Sequence, residues 1–161
     1  MRETSNLYLL VLSNGGWEGL GKIREKEMEK AAKKLKFKDF KVIDDNKIAD
    51  GPHDCDVGVV KGHVHTHLKE MASKGVEFAS IVTFDEYGVS HHPNHIACHF
   101  ACKELFAENK LKSADLYTLT TVHWFRKYNA FLDIFTSSSA NINYYLSSSH
   151  HAVTTLAIHD T

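Results

Sequence analysis

Apolar stretches of two different periods alternate along this chain of 161 residues, and the alternation is the strongest constraint on its fold. Continuous apolar or β-branched runs, which predict strands, cover residues 7–12, 40–43, 79–84 and 115–122. Stretches with the amphipathic period of a helix lie between them, at residues 22–37, 57–74 and 95–108. Because parallel strands need crossovers of about this length, the pattern predicts an α/β fold with helices on both faces of a mostly parallel sheet.

Length and composition favour one globular domain over residues 1–161. A hydrophobic fraction of 43% can fill a core, and a formal net charge of −1 excludes a disordered or nucleic-acid-coating chain. The longest apolar run, residues 7–12, is far shorter than the roughly 20 residues that cross a bilayer. Cys55, Cys98 and Cys102 cannot all pair with one another, which indicates a reducing compartment. We therefore expect the chain alone to be soluble and intracellular.

Ionisable residues collect where the predicted strands end, which is where α/β sheets bind ligands. The densest group follows the third strand and contains His92 and His95 around Pro93, a residue suited to the first turn of a helix. One of these histidines could bind a metal while the other donates a proton to a substrate oxygen. The alternative is a turn that carries exposed histidines.

Other histidines offer weaker candidate sites. His63 and His67 would share a face of the second helix, beside His65, but no acidic or thiol side chain nearby completes a metal site. A solvated helix face is therefore the favoured interpretation. A stripe on the third helix includes residues that are more often buried in a core than reactive: His95, His99 and Cys102, with Cys98 beside them.

Glycines after the first strand suggest a dinucleotide motif, but the required G-x-G-x-x-G fails. After Gly19 and Gly21 the last position holds Arg24. A guanidinium in the first turns of this helix could hold a sugar hydroxyl or a phosphate. The alternative is a surface arginine paired with a neighbour such as Glu27.

Five segments, in order across residues 7–135, resemble the N-acetylglucosaminyl-phosphatidylinositol de-N-acetylases, the eukaryotic branch of the LmbE-like zinc deacetylases: residues 12–15, 19–27, 42–45, 83–90 and 92–95. The resemblance implies a Rossmann-like three-layer sandwich. It also implies zinc-dependent hydrolysis of the N-acetyl group of N-acetylglucosaminyl-phosphatidylinositol, or of a related N-acetyl sugar, in glycosylphosphatidylinositol (GPI) anchor biosynthesis. The family acts on the cytoplasmic face of the endoplasmic reticulum.

The resemblance also implies roles for individual residues. His95 matches a zinc ligand of the family, and His92 matches the catalytic histidine that stabilises or protonates the tetrahedral intermediate. Arg24 matches an arginine that contacts the sugar, and Asp44 or Asp45 falls where a further substrate-binding residue is expected. A zinc ion suits this chemistry because it lowers the pKa of bound water and polarises the amide carbonyl.

One family motif, His-Pro-Asp-Asp-Glu, does not occur in these residues, although it supplies two zinc ligands and the general base in relatives. We therefore expect a domain that is incomplete at both ends, lacks the family's first strand and membrane anchor, and retains a partial zinc site without activity. Loss of a central strand would leave its neighbours with unpaired edges and poor stability. Two alternative functions are a non-catalytic family remnant that binds a partner or a sugar lipid without turning it over, and a nucleotide-binding α/β module.

Overall fold

The computed structural model describes residues 6–111, 114–121, 146–147 and 157–160. These ranges contain four helices, α1 (Gly21–Lys34), α2 (Val57–Ser73), α3 (Gly88–His91) and α4 (Pro93–Ala107). They also contain six strands, β1 (Asn6–Val11), β2 (Asp39–Val42), β3 (Phe78–Phe84), β4 (Asp115–Leu119), β5 (Leu146–Ser147) and β6 (Ala157–Asp160). A 3-10 turn, Asn46–Ile48, follows β2.

The strands form one mixed sheet in the order β2-β1-β6-β3-β4-β5. The pairs β1–β2 and β3–β4 are parallel, as the alternating pattern predicts. The two strands from the C-terminal part of the chain instead pair antiparallel, β5 with β4 and β6 with both β1 and β3. The expectation of a mostly parallel sheet is therefore wrong for β5 and β6, while the α/β class is confirmed.

Strand β6 also corrects the expectation of unpaired edges beside a missing central strand. Its four residues pair with residues 6–9 of β1 on one side, and with Phe78 and Ser80 of β3 on the other. Each of β1 and β3 therefore has a neighbour at its amino-terminal half. The pairs that β6 makes do not extend to Leu10 and Val11 of β1 or to residues 81–84 of β3, and these ends of the two strands flank the candidate site.

The four strands and three long helices expected from periodicity are confirmed, with bounds that differ by a few residues. Pro93 is the first residue of α4, and Gly75, in the left-handed region with φ of 79°, follows the end of α2. The sequence also favours loops at the serine runs 137–139 and 147–149 and a last strand at residues 152–158. Of these, Ser147 lies in β5 and residues 157 and 158 lie in β6, and the others lie outside the described residues.

Helices α2 and α4 pack against each other, and α4 lies against β3. The core between these elements is built from side chains such as Val60, Val64, Ile81, Ala101 and Leu105, each no more than 1% exposed. This packing fixes the start of α4, and with it His92 and His95, above the carboxyl end of β3. None of the helices in the described ranges is long and apolar enough to cross a membrane.

Candidate functional site

A cavity of about 350 Å³ lies between the carboxyl-terminal halves of β1 and β3. Its walls are mainly apolar, and include residues 9–12 at the end of β1, Met28 of α1, and Phe84, Cys98 and Cys102. Polar groups enter at one end, where Asp50, Asn94 and His95 line the wall. Ligand sites with a few convergent polar groups on an apolar wall are typical of α/β proteins.

The connection from β3 to α4 is held by the buried carboxylate of Asp85. It accepts hydrogen bonds from the backbone N–H groups of Tyr87 and Gly88 and from the hydroxyl and N–H of Thr121. Gly88 has φ of 57° and approaches α4 so closely that an added Cβ would lie 3.0 Å from the Cβ of His95. Asp85 therefore fixes the position of Gly88, which contacts His95.

His95 is oriented by a backbone carbonyl and a stacked aromatic ring. Its Nδ1 lies 3.0 Å from the carbonyl oxygen of Gly88, and its ring stacks on Phe84 with centroids 3.9 Å apart. Since Nδ1 donates to the carbonyl, the lone pair of the neutral ring is on Nε2, the arrangement of many metal-binding histidines. Burial lowers the pKa of His95 and so favours this neutral form.

His92 caps the start of α4 and lies beside His95, with ring centroids 5.1 Å apart. Its Nδ1 accepts a hydrogen bond of 3.3 Å from the N–H of Asn94. The proton of the neutral ring is therefore on Nε2, which lies 3.3 Å from Oδ1 of Asp50. An imidazole N–H held by a carboxylate can be turned toward the oxygen of a ligand that replaces this contact.

Asp50 is a site residue that the sequence analysis missed. It precedes Gly51 and Pro52 in a loop, and no motif or helical spacing links it to His92, which is 42 positions away. The acidic residues at the end of β2 were the stronger signal, because they directly follow a strand. Only the folded chain brings the loop of Asp50 to the first turn of α4.

Arg24 lies in a second cavity of about 340 Å³ that shares Val11, Ser13, Gly15 and Met28 with the first. Its guanidinium is half exposed and lies 3.8 Å from the carboxylate of Glu18, a pair different from the expected one with Glu27. The structure therefore places Arg24 next to the cavity of His95, on the side of α1.

Asp45 does not line either cavity in the described structure. Its carboxylate accepts a hydrogen bond from the backbone N–H of Lys47 and lies 2.8 Å from Nε2 of His63. These two contacts, the backbone one first, lower the pKa of Asp45. Asp45 thus joins the loop after β2 to α2, whereas the neighbouring Asp44 lies 3.4 Å from Nζ of Lys22 at the start of α1.

The remaining histidines and cysteines of the described residues do not assemble a second site. His67 is buried, so the expected solvated face of α2 is wrong at this position. Cys98 and Cys102 are buried, and burial raises the pKa of the Cys102 thiol to about 12. Both observations agree with the prediction that these cysteines are small apolar residues of the core. Within the residues that the structure describes, no three His, Cys, Asp or Glu side chains are grouped so that they could hold a metal ion.

Comparisons with known proteins identify the chain's relatives. The family model described as GlcNAc-PI de-N-acetylase matches residues 1–106. An N-acetylglucosaminyl-phosphatidylinositol de-N-acetylase of Bos taurus is 37% identical over 136 residues, which are 83% of this chain and 52% of that protein. A protein of Schizosaccharomyces pombe named as a probable enzyme of the same kind is 32% identical over 135 residues, 82% of this chain and 52% of that protein.

The chain therefore spans about half the length of these curated relatives. No solved structure matches significantly. The match to the family model nevertheless covers about two thirds of the 161 residues and includes α1, β3 and the start of α4. On this basis, the chain belongs to the GlcNAc-PI de-N-acetylase family.

Proposed function

We propose that this chain carries the sugar- and carbonyl-binding side of a site that hydrolyses the N-acetyl group of N-acetylglucosaminyl-phosphatidylinositol. The observation that carries the proposal is His95 in the wall of an apolar cavity, with the ring of His92 beside it, in a chain of this family. The pathway proposed with it is GPI anchor biosynthesis at the cytoplasmic face of the endoplasmic reticulum. The proposed fold is the Rossmann-like three-layer sandwich.

In this proposal His92 acts on the amide carbonyl. Its Nε2–H turns from Asp50 to the carbonyl oxygen and stabilises the negative charge that develops there. Asp50 positions the ring. Arg24 donates to sugar hydroxyls from the adjoining cavity. We do not extend the same role to Asp45, because its carboxylate is held by His63 and Lys47.

We propose His95 as one zinc ligand, through Nε2. A bound zinc ion would activate water and polarise the carbonyl, but a catalytic site needs three protein ligands. The described residues supply no group of three, so they do not fit a complete zinc site by themselves. No step is therefore assigned to the metal, and we expect the 161-residue chain alone to release no measurable acetate from the lipid substrate.

Binding of the soluble headgroup, N-acetylglucosaminyl-inositol phosphate, tests the proposal without requiring turnover. We expect calorimetry to detect binding by the full chain, and His92→Ala and Arg24→Ala each to weaken it about tenfold, the loss of one hydrogen bond to a charged or polarised group. The matched controls are His91→Ala, at the exposed position before His92, and Lys26→Ala, exposed on α1 like Arg24, and both should bind as the parent does.

Failure to bind the headgroup, or equal losses in the control variants, would contradict the proposal. Binding of ADP in place of the headgroup would favour the nucleotide-binding alternative. The absence of a three-ligand group in the described residues favours the other alternative, a family member that binds the sugar lipid without hydrolysing it. Acetate release by the purified chain, measured with and without added Zn²⁺, would exclude that alternative.

A further inference from the structure

Among the residues that the structure describes, four large apolar side chains are exposed at the carboxyl edge of the sheet, and we call them the rim. The rim consists of Trp17, Leu20, Ile23 and Tyr87, which are 58%, 37%, 56% and 52% exposed. The first three lie between the end of β1 and the first turn of α1, and Tyr87 follows β3. The cavity of His95 lies between β1 and β3. Each of these two strands is followed in the chain by residues of the rim.

Contacts connect the rim to the candidate site. The ring of Trp17 lies against Gly51, where an added Cβ would be 2.7 Å from Cε3 of the indole, and it meets His53 edge-on at 5.4 Å. The residue before Gly51 is Asp50, which holds His92. The rim therefore borders the same loop that positions the candidate catalytic histidine.

A second contact joins Tyr87 to the start of α4. Its ring meets His91 edge-on with centroids 6.1 Å apart, directly beside His92 in the chain. Trp17 is thus connected to His92 through the loop of Asp50, and Tyr87 is connected to it through His91. Both side chains expose an aromatic body together with a polar N–H or O–H, the combination that is enriched at membrane–water interfaces.

The charges beside the rim indicate which surface it suits. Arg24 lies 3.8 Å from Glu18, and Nζ of Lys22 lies 3.4 Å from Asp44, so these cations are accompanied by carboxylates. Glu86, exposed next to Tyr87, adds a further negative charge. A strongly anionic partner is therefore disfavoured, and a zwitterionic lipid surface, which takes up aromatic and aliphatic side chains without a net charge, is favoured.

We propose that the rim inserts into the headgroup region of a zwitterionic bilayer and holds the mouth of the cavity against the membrane. The inference rests on the proposed function in one respect, because a substrate anchored by acyl chains can present its sugar only within one headgroup length of the bilayer. The rim places His92 and Arg24 at that surface. The polypeptide itself does not cross the bilayer at the rim; four side chains dock there.

The opposite edge of the sheet supplies matched controls. Helix α1 runs from the carboxyl edge back to the amino edge before β2, and α4 does the same before β4. Leu35 follows the last turn of α1 and Phe106 lies in the last turn of α4, with exposures of 64% and 43%. Each is as apolar as a rim residue but faces the side away from the cavity mouth.

Sedimentation of the full chain with phosphatidylcholine vesicles tests the proposal. We expect the parent chain to bind, and the double variant Trp17→Ala/Tyr87→Ala to partition at least about tenfold less, because burying such rings supplies most of the affinity. The double variant Leu35→Ala/Phe106→Ala should bind as the parent does. Raising the salt concentration should leave binding unchanged.

Tryptophan emission gives an independent readout. In a chain carrying Trp124→Phe, Trp17 is the remaining tryptophan, and its emission should shift to the blue and be quenched by brominated lipids. Absence of vesicle binding, equal losses in the control double variant, or self-association through Trp17 without lipid binding would each overturn the proposal. Headgroup binding in vesicle-free solution is measured separately, so failure of the proposed function is distinguishable from failure of membrane docking.

Discussion

His67 lies on the face of α2 that also carries Val60, Val64 and Met71, and it is 5% exposed. Neither ring nitrogen has a hydrogen-bond partner; the nearest carboxylate, of Glu70, is 4.0 Å from Nδ1 and is bonded to Lys41. An unpartnered buried polar group costs free energy. We expect His67→Leu to raise the free energy of unfolding by about 1–2 kcal/mol at pH 7, measured by urea denaturation.

The same substitution should reduce the dependence of stability on pH. Burial, more than the nearby Lys41 charge, lowers the pKa of His67 below the ordinary histidine value of 6.5. The unfolded chain therefore binds the proton first, and the folded state loses about 1.4 kcal/mol per pH unit below 6.5 until the folded pKa is reached. The advantage of His67→Leu over the parent should grow between pH 7 and pH 5.5. His91→Leu, at an exposed position, is the control, and an equal change in both variants would contradict the explanation.

Substitution by alanine should have opposite effects on stability at Gly15 and at Gly62. Gly15 has φ of 67°, and a Cβ there would lie 2.8 Å from Cδ of Arg24, so Gly15→Ala both strains the backbone and displaces the guanidinium. We expect a loss of about 1–2 kcal/mol in stability together with weaker headgroup binding.

Gly62 lies inside α2 with nothing within 4 Å of an added Cβ, so Gly62→Ala should stabilise by about 0.5–1 kcal/mol and leave binding unchanged. Thermal unfolding and calorimetry measure both, and loss of binding in Gly62→Ala would contradict the assignment of Arg24.

At the scale of elements, Asp56 caps the start of α2. Its carboxylate accepts hydrogen bonds from the backbone N–H groups of Gly58 at 2.8 Å and Val59 at 3.1 Å. Asp56→Ala leaves these donors to water and should lower the free energy of unfolding by about 1 kcal/mol. Asp54→Ala, two residues earlier and exposed, carries the same charge change without the cap. Equal effects of the two substitutions in urea denaturation would show that charge, rather than capping, is responsible.

The sequence predicts the helices and strands well because each is determined by residues that are close together in the chain. The amphipathic period of α2, the Pro93 start of α4 and the apolar runs of β1 and β3 are each set by a few consecutive residues. The position of β6 depends instead on pairing with strands more than 70 residues away, which no window of sequence contains. Asp50 was missed for the same reason, because its contact with His92 exists only once the loop before α2 meets α4.

The site residues divide in a similar way. His92 and His95 could be singled out because a turn of helix brings residues three apart together, and Arg24 because it follows a glycine-rich turn. Asp45 also followed a strand, but sequence position could not show that His63 of α2 would bind its carboxylate. The contacts that the sequence does not predict are therefore those between side chains far apart in the chain. The type of residue does not decide which contacts can be predicted.

At the scale of the whole molecule, the sheet is joined at its centre by a short strand. The pair β1–β2 and the pair β3–β4 connect through β6, whose four residues pair with residues 6–9 of β1 and with Phe78 and Ser80 of β3. The cavity of His95 lies between the carboxyl ends of β1 and β3, beyond these pairs. Both β6 and the candidate site therefore lie between β1 and β3. The strand joins the two parts of the sheet, and the site occupies the space beyond it.

Deleting residues 157–161 tests the contribution of β6 to this arrangement. Without it, the backbone groups of residues 6–9 and of Phe78 and Ser80 that face β6 lose their partners, and such edges exchange with solvent and promote association. We expect hydrogen exchange at residues 6–9 to accelerate at least about tenfold, together with concentration-dependent association in gel filtration. Residues 81–84 of β3, which pair with β4, serve as the internal control and should exchange as in the full chain. Unchanged protection of residues 6–9 would show that β1 does not depend on β6, whereas equal acceleration at residues 81–84 would mean that the deletion unfolds the whole sheet.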